Sequence, residues 1–548
     1  MRRWNGWGDD STDYPLPESA GRYLVENLGE GPYLADATPE DTIQPIRRGR
    51  RSKISRLPLH PLITNDPIER LRHARGQSLP DWIALRSGRV GTFPDGVAYP
   101  NSDKDVRNLL EYALRNGIKV IPYGGGTSVV GHINPTESKT PILTLDMSRL
   151  YRLLDIDETS RLATFEAGIV GPEIETQLRK HGYTLGHYPQ SFEYSTLGGW
   201  IATRSCGQQS YYYGRIEDLF AGGHIETLVG AMDLPLHPAS AAGPDLRQMI
   251  LGSEGRLGVI TRATVRIRHV PEAESFHAFF FQNWETGVAA VQKIAQANLK
   301  VSMMRLSNDL ETTTTLALSG KDDLVRWADR GLRLLDYKAG RCLLILGFTA
   351  ERNDKAAADA FAAARSIIGS NHGLWVGTPI GVMWRKARFR TPYLRNTLWE
   401  KGYALDTLET AVPWSEILTT TEDILEALRA GLTKINERVL AFAHLSHAYV
   451  DGAGVYITFL YRRAEDPDES LHRWQVLKGA ASKVIIAHGG TISHQHGVGL
   501  DHARYLKAEK GKVGMQILES VHRTLDPDDL LNPGKLIATE SKKRKQKK

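Results

Sequence analysis

Only two cysteines, Cys206 and Cys342, occur in 548 residues. That scarcity argues against a disulfide framework and for a reducing interior. No Cys/His cluster has zinc-finger spacing, and no metal site is expected. Long apolar runs are missing too. The longest, Cys342-Leu-Leu-Ile-Leu-Gly-Phe348, is far short of a membrane span. The opening Met1-Arg-Arg-Trp-Asn-Gly-Trp-Gly8 has no apolar core of a secretory signal and no import presequence before it. A cytoplasmic location is the expectation. Net charge is a modest +6. It is concentrated in Arg47-Arg48-Gly49-Arg50-Arg51-Ser52-Lys53 and in the tail Lys542–Lys548. Aromatic residues interleave with neither run, so no base-stacking platform, and no nucleic-acid partner, is expected. The plain reading of both is a solvated loop and a disordered tail. Peripheral contact with an anionic lipid surface is the other use such runs serve.

Both common nucleotide-binding signatures are also absent: no Gly-Lys-Ser/Thr follows a Gly-rich loop, and there is no G-x-G-x-x-G opening a helix. What stands instead is Ile121-Pro-Tyr-Gly-Gly-Gly-Thr-Ser-Val-Val-Gly131, after the strand-like Lys119-Val-Ile121. Consecutive glycines open backbone conformations closed to other residues. Successive amides can then converge on an anion, with the Thr127 and Ser128 hydroxyls beside them. A phosphate or pyrophosphate is the natural guest; a ligand-free tight turn is the bland reading.

Three further stretches bear on that choice: Ser195-Thr-Leu-Gly-Gly-Trp-Ile-Ala-Thr203, Gly252-Ser-Glu-Gly-Arg-Leu-Gly-Val-Ile-Thr261 and Gly490-Thr-Ile-Ser-His-Gln-His-Gly-Val-Gly499. In order and spacing the four together resemble the FAD-binding, PCMH-type flavoproteins of the vanillyl-alcohol oxidase family. The resemblance implies an α+β fold: a two-part FAD-binding domain, an α/β cap over the flavin, and a C-terminal segment returning to the FAD domain. It places the cofactor against Pro122, Gly124, Gly125, Gly126, Thr127, Ser128, Gln190, Ser195, Thr196, Gly198, Gly199, Thr203, Glu254, Gly258 and Ile260. Apart from His132, just after the Gly loop, no histidine stands where some relatives tether FAD. Non-covalent FAD is expected.

The chain then divides into a proline-rich, partly helical lead-in (1–85), the FAD-binding domain (86–270), the cap (271–480), the return (481–537) and the tail (538–548). Apolar content of 41% is ample for more than one core. Val106, Leu109, Leu110 and Ala113 have helical spacing over Asp103–Asn116, and Pro172 sits where a helix starts. Glu217-Asp218-Leu219 and Thr227–Gly230 suggest a strand, and Trp414 to Val439 reads as one long helix.

Within the family, one branch is closer. Arg3-Trp-Asn-Gly-Trp-Gly8, Leu185-Gly-His187-Tyr-Pro189, Tyr449-Val-Asp-Gly-Ala-Gly-Val-Tyr456 and Ser493-His-Gln-His496 are similar to stretches of the alkyldihydroxyacetonephosphate synthases. That branch implies exchange of the acyl group of acyl-dihydroxyacetone phosphate for a fatty alcohol through a flavin N5 adduct. A lipid-like substrate and a homodimer go with it. The resemblance assigns Tyr456, His494, His496 and His187 to the catalytic centre, with Arg305 and Arg395 as its cations. Each has a plainer role: His187 a satisfied structural histidine, Tyr456 a core aromatic, Arg395 a surface ion pair. The rival branch oxidises D-2-hydroxyacids and carries a Glu-His-Gly motif that helps hold a metal; here the glutamate position is Gln495. A neutral amide is the poorer ligand for a divalent cation.

Overall fold

The computed structural model describes residues 2–48, 57–318, 329–350 and 355–537. Residues 49–53 of the first basic run and the tail 538–548 lie outside the described residues.

Two sheets form the first half. Strands β1 (Ile63–Thr64), β2 (Gly96–Ala98), β3 (Lys119–Tyr123) and β4 (Ile142–Asp146) lie in the order β1-β2-β4-β3. Both neighbours of β4 run parallel to it. The crossover is the helix Asp103–Asn116. Ser102 caps it by accepting from the Asp105 amide, and Gly117 ends it at φ +60°. Val106, Leu109, Leu110 and Ala113 are buried against the sheet, on the face their spacing predicts. The Gly-rich loop therefore leaves the carboxyl end of a buried parallel strand, a rigid base for a binding loop.

The second sheet is antiparallel, with β5 (Leu153–Asp157), β6 (Leu162–Glu166), β8 (Phe220–Thr227), β9 (Gly230–Leu234) and β10 (Val259–Arg266) in the order β5-β6-β10-β8-β9. A ribbon of β7 (Tyr183–Thr184) and β11 (Arg268–His269) flanks it. Glu217–Leu219 belong to a helical turn, Ile216–Leu219, rather than to a strand. The Asp218 carboxylate accepts from the Arg215 amide and closes the turn before β8 begins.

The cap is built on seven antiparallel strands: β12 (Ala273–Phe281), β13 (Met303–Ser307), β14 (Cys342–Ala350), β15 (Leu374–Trp375), β16 (Tyr403–Pro413), β17 (Val439–Ala448) and β18 (Gly452–Arg462). Their order is β15-β12-β14-β13-β17-β18-β16. Alternation puts Arg305, His444, Tyr456 and Glu409 on one face, since His444 and Glu409 both stand opposite Tyr456. The long helix read from Trp414 is shorter than its sequence pattern. It runs Ile417–Ala430 between two 3-10 turns, and Val439 already opens β17. Gly431 lies so close to Leu477 of the neighbouring helix that a Cβ would come within 2.7 Å, and Asn436 turns the chain at φ +55°.

After the helix Pro467–Ala487 the chain returns to the first half. Leu531 bridges Val120 in parallel, and the buried Arg256 donates to Leu531 O at 2.6 Å and to Asp529 at 2.9 Å. Asn532 donates to the carbonyls of His132 and Glu254 at 3.0 and 2.7 Å. Arg256→Met strands a buried carbonyl and a carboxylate. A loss on the order of 3 kcal/mol is expected, read as a lower thermal midpoint with far-ultraviolet dichroism unchanged below the transition.

Candidate active site

Between the Gly-rich loop and the cap sheet lies a cavity of about 950 Å³. Every residue assigned to the cofactor from sequence lines it, from Pro122 and Gly124 through Gln190, Ser195 and Thr203 to Gly258 and Ile260. So do Arg305, Arg395, Tyr456 and His496. His187 and His494 do not.

The loop is locked by contacts only glycine permits. A Cβ on Gly125 would sit 1.7 Å from the Tyr194 carbonyl oxygen, and one on Gly124 would sit 2.3 Å from Thr196 Oγ1. Gly126 holds φ +66°. Among the described residues, the backbone amides of Gly124 through Val129 donate to no acceptor of the protein. Orphaned amides are costly unless something accepts from them. A run of them on a Gly-rich loop facing a cavity suits the pyrophosphate of a dinucleotide. The nearby helix Leu197–Thr203 offers less: the Leu197, Gly198 and Gly199 amides already donate to Ile169 O, Ala167 O and Thr196 Oγ1.

On the cap face the charges are paired. Arg305 meets Glu311 at 2.7 Å, and Glu311 meets His444 Nδ1 at 3.0 Å. Burial alone would raise the Glu311 carboxyl, but Arg305 and His444 hold it down at about 2. Tyr456 stacks on His444, ring centroids 4.8 Å apart, and meets His496 edge-on at 5.6 Å. Burial pushes the Tyr456 phenol up to about 12 and keeps the His496 imidazole neutral by lowering its pKa. Arg395 donates to Gln77 O at 2.6 Å and lies 4.4 Å over the Trp82 ring, while its Nε and Nη2 have no acceptor among the described residues. It is no surface ion pair.

The loop bearing His494, Gln495 and His496 is gripped from two sides. Glu409 of β16 accepts from the amides of His494, Gln495 and His496 at 3.1, 3.0 and 2.9 Å, and from Ser493 Oγ at 2.8 Å. Burial opposes its charge, yet the neighbouring histidines and these donors keep its carboxyl well below the usual range. Glu254 accepts from the Val498 and Gly499 amides at 2.6 and 2.9 Å. Glu254 therefore lines the cavity with its carboxylate already committed to the protein.

His494 packs behind the cavity, its Nε2 2.7 Å from both Tyr449 Oη and Arg215 Nη1. His187, 1% exposed, lies against Trp200 with Nε2 3.3 Å from Ser205 Oγ. Burial pushes its pKa down to about 3, which keeps the imidazole neutral, and its Nδ1 has no partner among the described residues. The sequence reading left out Glu311, His444, Glu409 and His447. His447 lines the cavity from a bulge in β17 at φ +56°, with Nδ1 3.0 Å from Ser210 Oγ.

Residues 94–229 match the FAD binding domain model, and residues 270–536 match the model of the C-terminal domain of FAD linked oxidases. The alkyldihydroxyacetonephosphate synthase of Dictyostelium discoideum is 31% identical over 98% of this chain and 93% of its own length. The chain belongs to the alkyldihydroxyacetonephosphate synthase family. A solved alkyldihydroxyacetonephosphate synthase superposes with TM-score 0.81 at 28% identity, covering 97% of this chain and 98% of that one. A D-lactate dehydrogenase (cytochrome) of Saccharomyces cerevisiae is more distant, at 24% identity over 82% of this chain and 73% of that one. Like its family the protein is an FAD enzyme, and the orphaned amides of the Gly-rich loop fit that cofactor.

Gly125→Ala forces a carbonyl to move and is expected to abolish flavin retention, seen as loss of the yellow absorbance per mole of folded protein. The His187 imidazole gives a pH test. Its folded pKa of about 3 lies below the ordinary 6.5, so between those values the unfolded chain binds the extra proton. Stability is therefore complete above about pH 6.5 and falls as the pH drops towards 3. His187→Gln is expected to flatten this slope, measured as thermal midpoint against pH.

Proposed function

We propose that this protein replaces the acyl group of acyl-dihydroxyacetone phosphate with a fatty alcohol, using non-covalently held FAD. The observation that carries the reading is the composition of the cavity wall. Its polar centre, with Arg305, His444, Tyr456 and His496, is continuous with an apolar lining that includes Leu316, Leu318, Leu398, Phe442, Leu460 and Met383. A small hydroxyacid has no use for so much apolar surface, whereas a phosphate headgroup on an alkyl chain matches both parts.

When bound, FAD supplies a ring nitrogen able to act as a nucleophile and an electron store. The residues supply charge and protons. Overall, one carbon–oxygen bond to the carboxylate breaks and one to the alcohol oxygen forms, with no net oxidation. The alcohol must shed its proton as this happens. His496, held neutral by burial, can accept a proton, and Tyr456, held protonated, can donate one. Arg395 has free N–H groups for a phosphate or a departing carboxylate. Arg305 is already committed to Glu311, so it sets the field around His444 as much as it binds substrate. Gln495 Oε1 is buried without a partner among the described residues. An amide there supports the exchange reaction over a metal-assisted hydroxyacid oxidation.

Substrates of this kind reside in lipid surfaces, so peripheral membrane contact belongs to the same reading, and a homodimer joins it on family grounds. Among the described residues, no helix is long and apolar enough to cross a membrane.

The test is anaerobic incubation of the FAD-loaded protein with acyl-dihydroxyacetone phosphate and a fatty alcohol. Fatty acid release with an ether product and no net reduction of the flavin is expected. Full bleaching by a D-2-hydroxyacid, without ether formation, would sink the proposal. Tyr456→Phe should keep its flavin and lose turnover by at least about a hundredfold, measured as fatty acid release.

A further inference from the structure

The Arg3-Trp-Asn-Gly-Trp-Gly8 stretch is the sequence motif that the chemistry above leaves unused. It forms a tight hairpin: Arg2 bridges Asp9, and the Arg3 amide donates to Gly8 O at 2.9 Å. Gly8 takes φ +85° and leaves no room for a Cβ, which would lie 2.2 Å from the Tyr393 ring. A simple staple would bury its tryptophan in a core away from the ligand. Here Trp7, 4% exposed, lines the cavity, and its indole Nε1 has no acceptor among the described residues.

Two residues join this hairpin to Arg395. Asn396, its neighbour on the helix Thr391–Glu400, accepts from the Trp7 amide at 3.1 Å and donates to Trp7 O at 2.9 Å. Gln77 donates its side-chain amide to Gly6 O at 3.2 Å, and its carbonyl takes Arg395 Nη1 at 2.6 Å. The same Gln77 donates its backbone amide to Ser128 O of the Gly-rich loop at 2.6 Å, and its side chain accepts from the indole of Trp82, the ring under Arg395. Among the described residues Arg395 thus has one acceptor and one stacking surface, and both hang on Gln77.

We propose that the hairpin Arg2–Asp9 is a working part of the active site, in which Asn396 and Gln77 are positioning residues that set the Arg395 guanidinium. This rests on the reading of Arg395 as a cation that meets substrate. The physical case is that a guanidinium held at one corner points wherever its helix and its single acceptor put it. Small misplacements of a charge at a reacting centre cost rate rather than folding.

The experiment is a double-mutant cycle in the FAD-loaded full chain, with Asn396→Ala and Arg395→Lys made singly and together. Asn396→Ala is expected to keep its flavin-to-protein ratio, to lower kcat about a hundredfold, and to add nothing further to Arg395→Lys. A staple without a positioning role predicts lower flavin content and a loss that multiplies with that of Arg395→Lys. That additivity, or Asn396→Ala within about twofold of the parent, overturns the proposal. If Asn396→Ala does not fold, Asn396→Asp, which keeps the acceptor for the Trp7 amide, takes its place. If the parent makes no ether product, the proposed function has failed on its own. The same cycle is then read from palmitate binding through the flavin absorbance, where shared losses support the coupling and independent losses overturn it.

Discussion

Two buried carboxylates from different parts of the chain hold one loop. Glu409 comes from the cap sheet and takes the amides of residues 494–496; Glu254 comes from the FAD-binding half and takes those of Val498 and Gly499. Burial opposes the Glu409 charge, which is held because three backbone N–H groups and the Ser493 hydroxyl converge on it beside two histidines. Glu254 also has His132 Nε2 at 3.1 Å. The loop in turn closes the cavity between the two halves. Remove either carboxylate and the segment carrying His496 loses its shape, however intact the two sheets remain.

The same burial assigns protonation states across the site. Histidines 187, 444, 447 and 496 are all pushed towards the neutral form, and the Tyr456 phenol towards the protonated one. Glu311 and Glu409 stay ionised only through their partners. The cap face of the cavity therefore pairs Arg305 with Glu311 and keeps neutral proton carriers beside them. That suits a reaction in which an alcohol loses a proton and a carboxylate departs. Arg395, whose Nε and Nη2 have no acceptor among the described residues, is a cation available there.

Much of this was legible in the chain itself. The amphipathic helix ahead of the Gly-rich loop was read from its apolar spacing, the four motifs in order pointed to an FAD fold, and the residues assigned to the cofactor all line one cavity. Misreadings came where local pattern and tertiary packing diverge. His494 and His496 look equivalent in sequence, yet the loop turns one onto Tyr449 and Arg215 and the other onto Tyr456. His187 sits in a family-like motif but packs behind Trp200. The helix read through Val439 overran because apolar spacing does not register the contact of Gly431 with a neighbouring helix.

By itself, the sequence determined the things that depend on near neighbours. Consecutive glycines, a serine cap, a proline at a helix start and strand alternation each act over a few residues, so they fix the loop and the elements around it. Only the tertiary structure decided which polar groups meet. Glu409 reaches Ser493 across 84 positions, Asn396 reaches Trp7 across 389, and Arg395 reaches Gln77 across 318. No local rule specifies such pairs. They form because a buried donor or acceptor without a partner is too costly, and the folded chain offers each of them few alternatives.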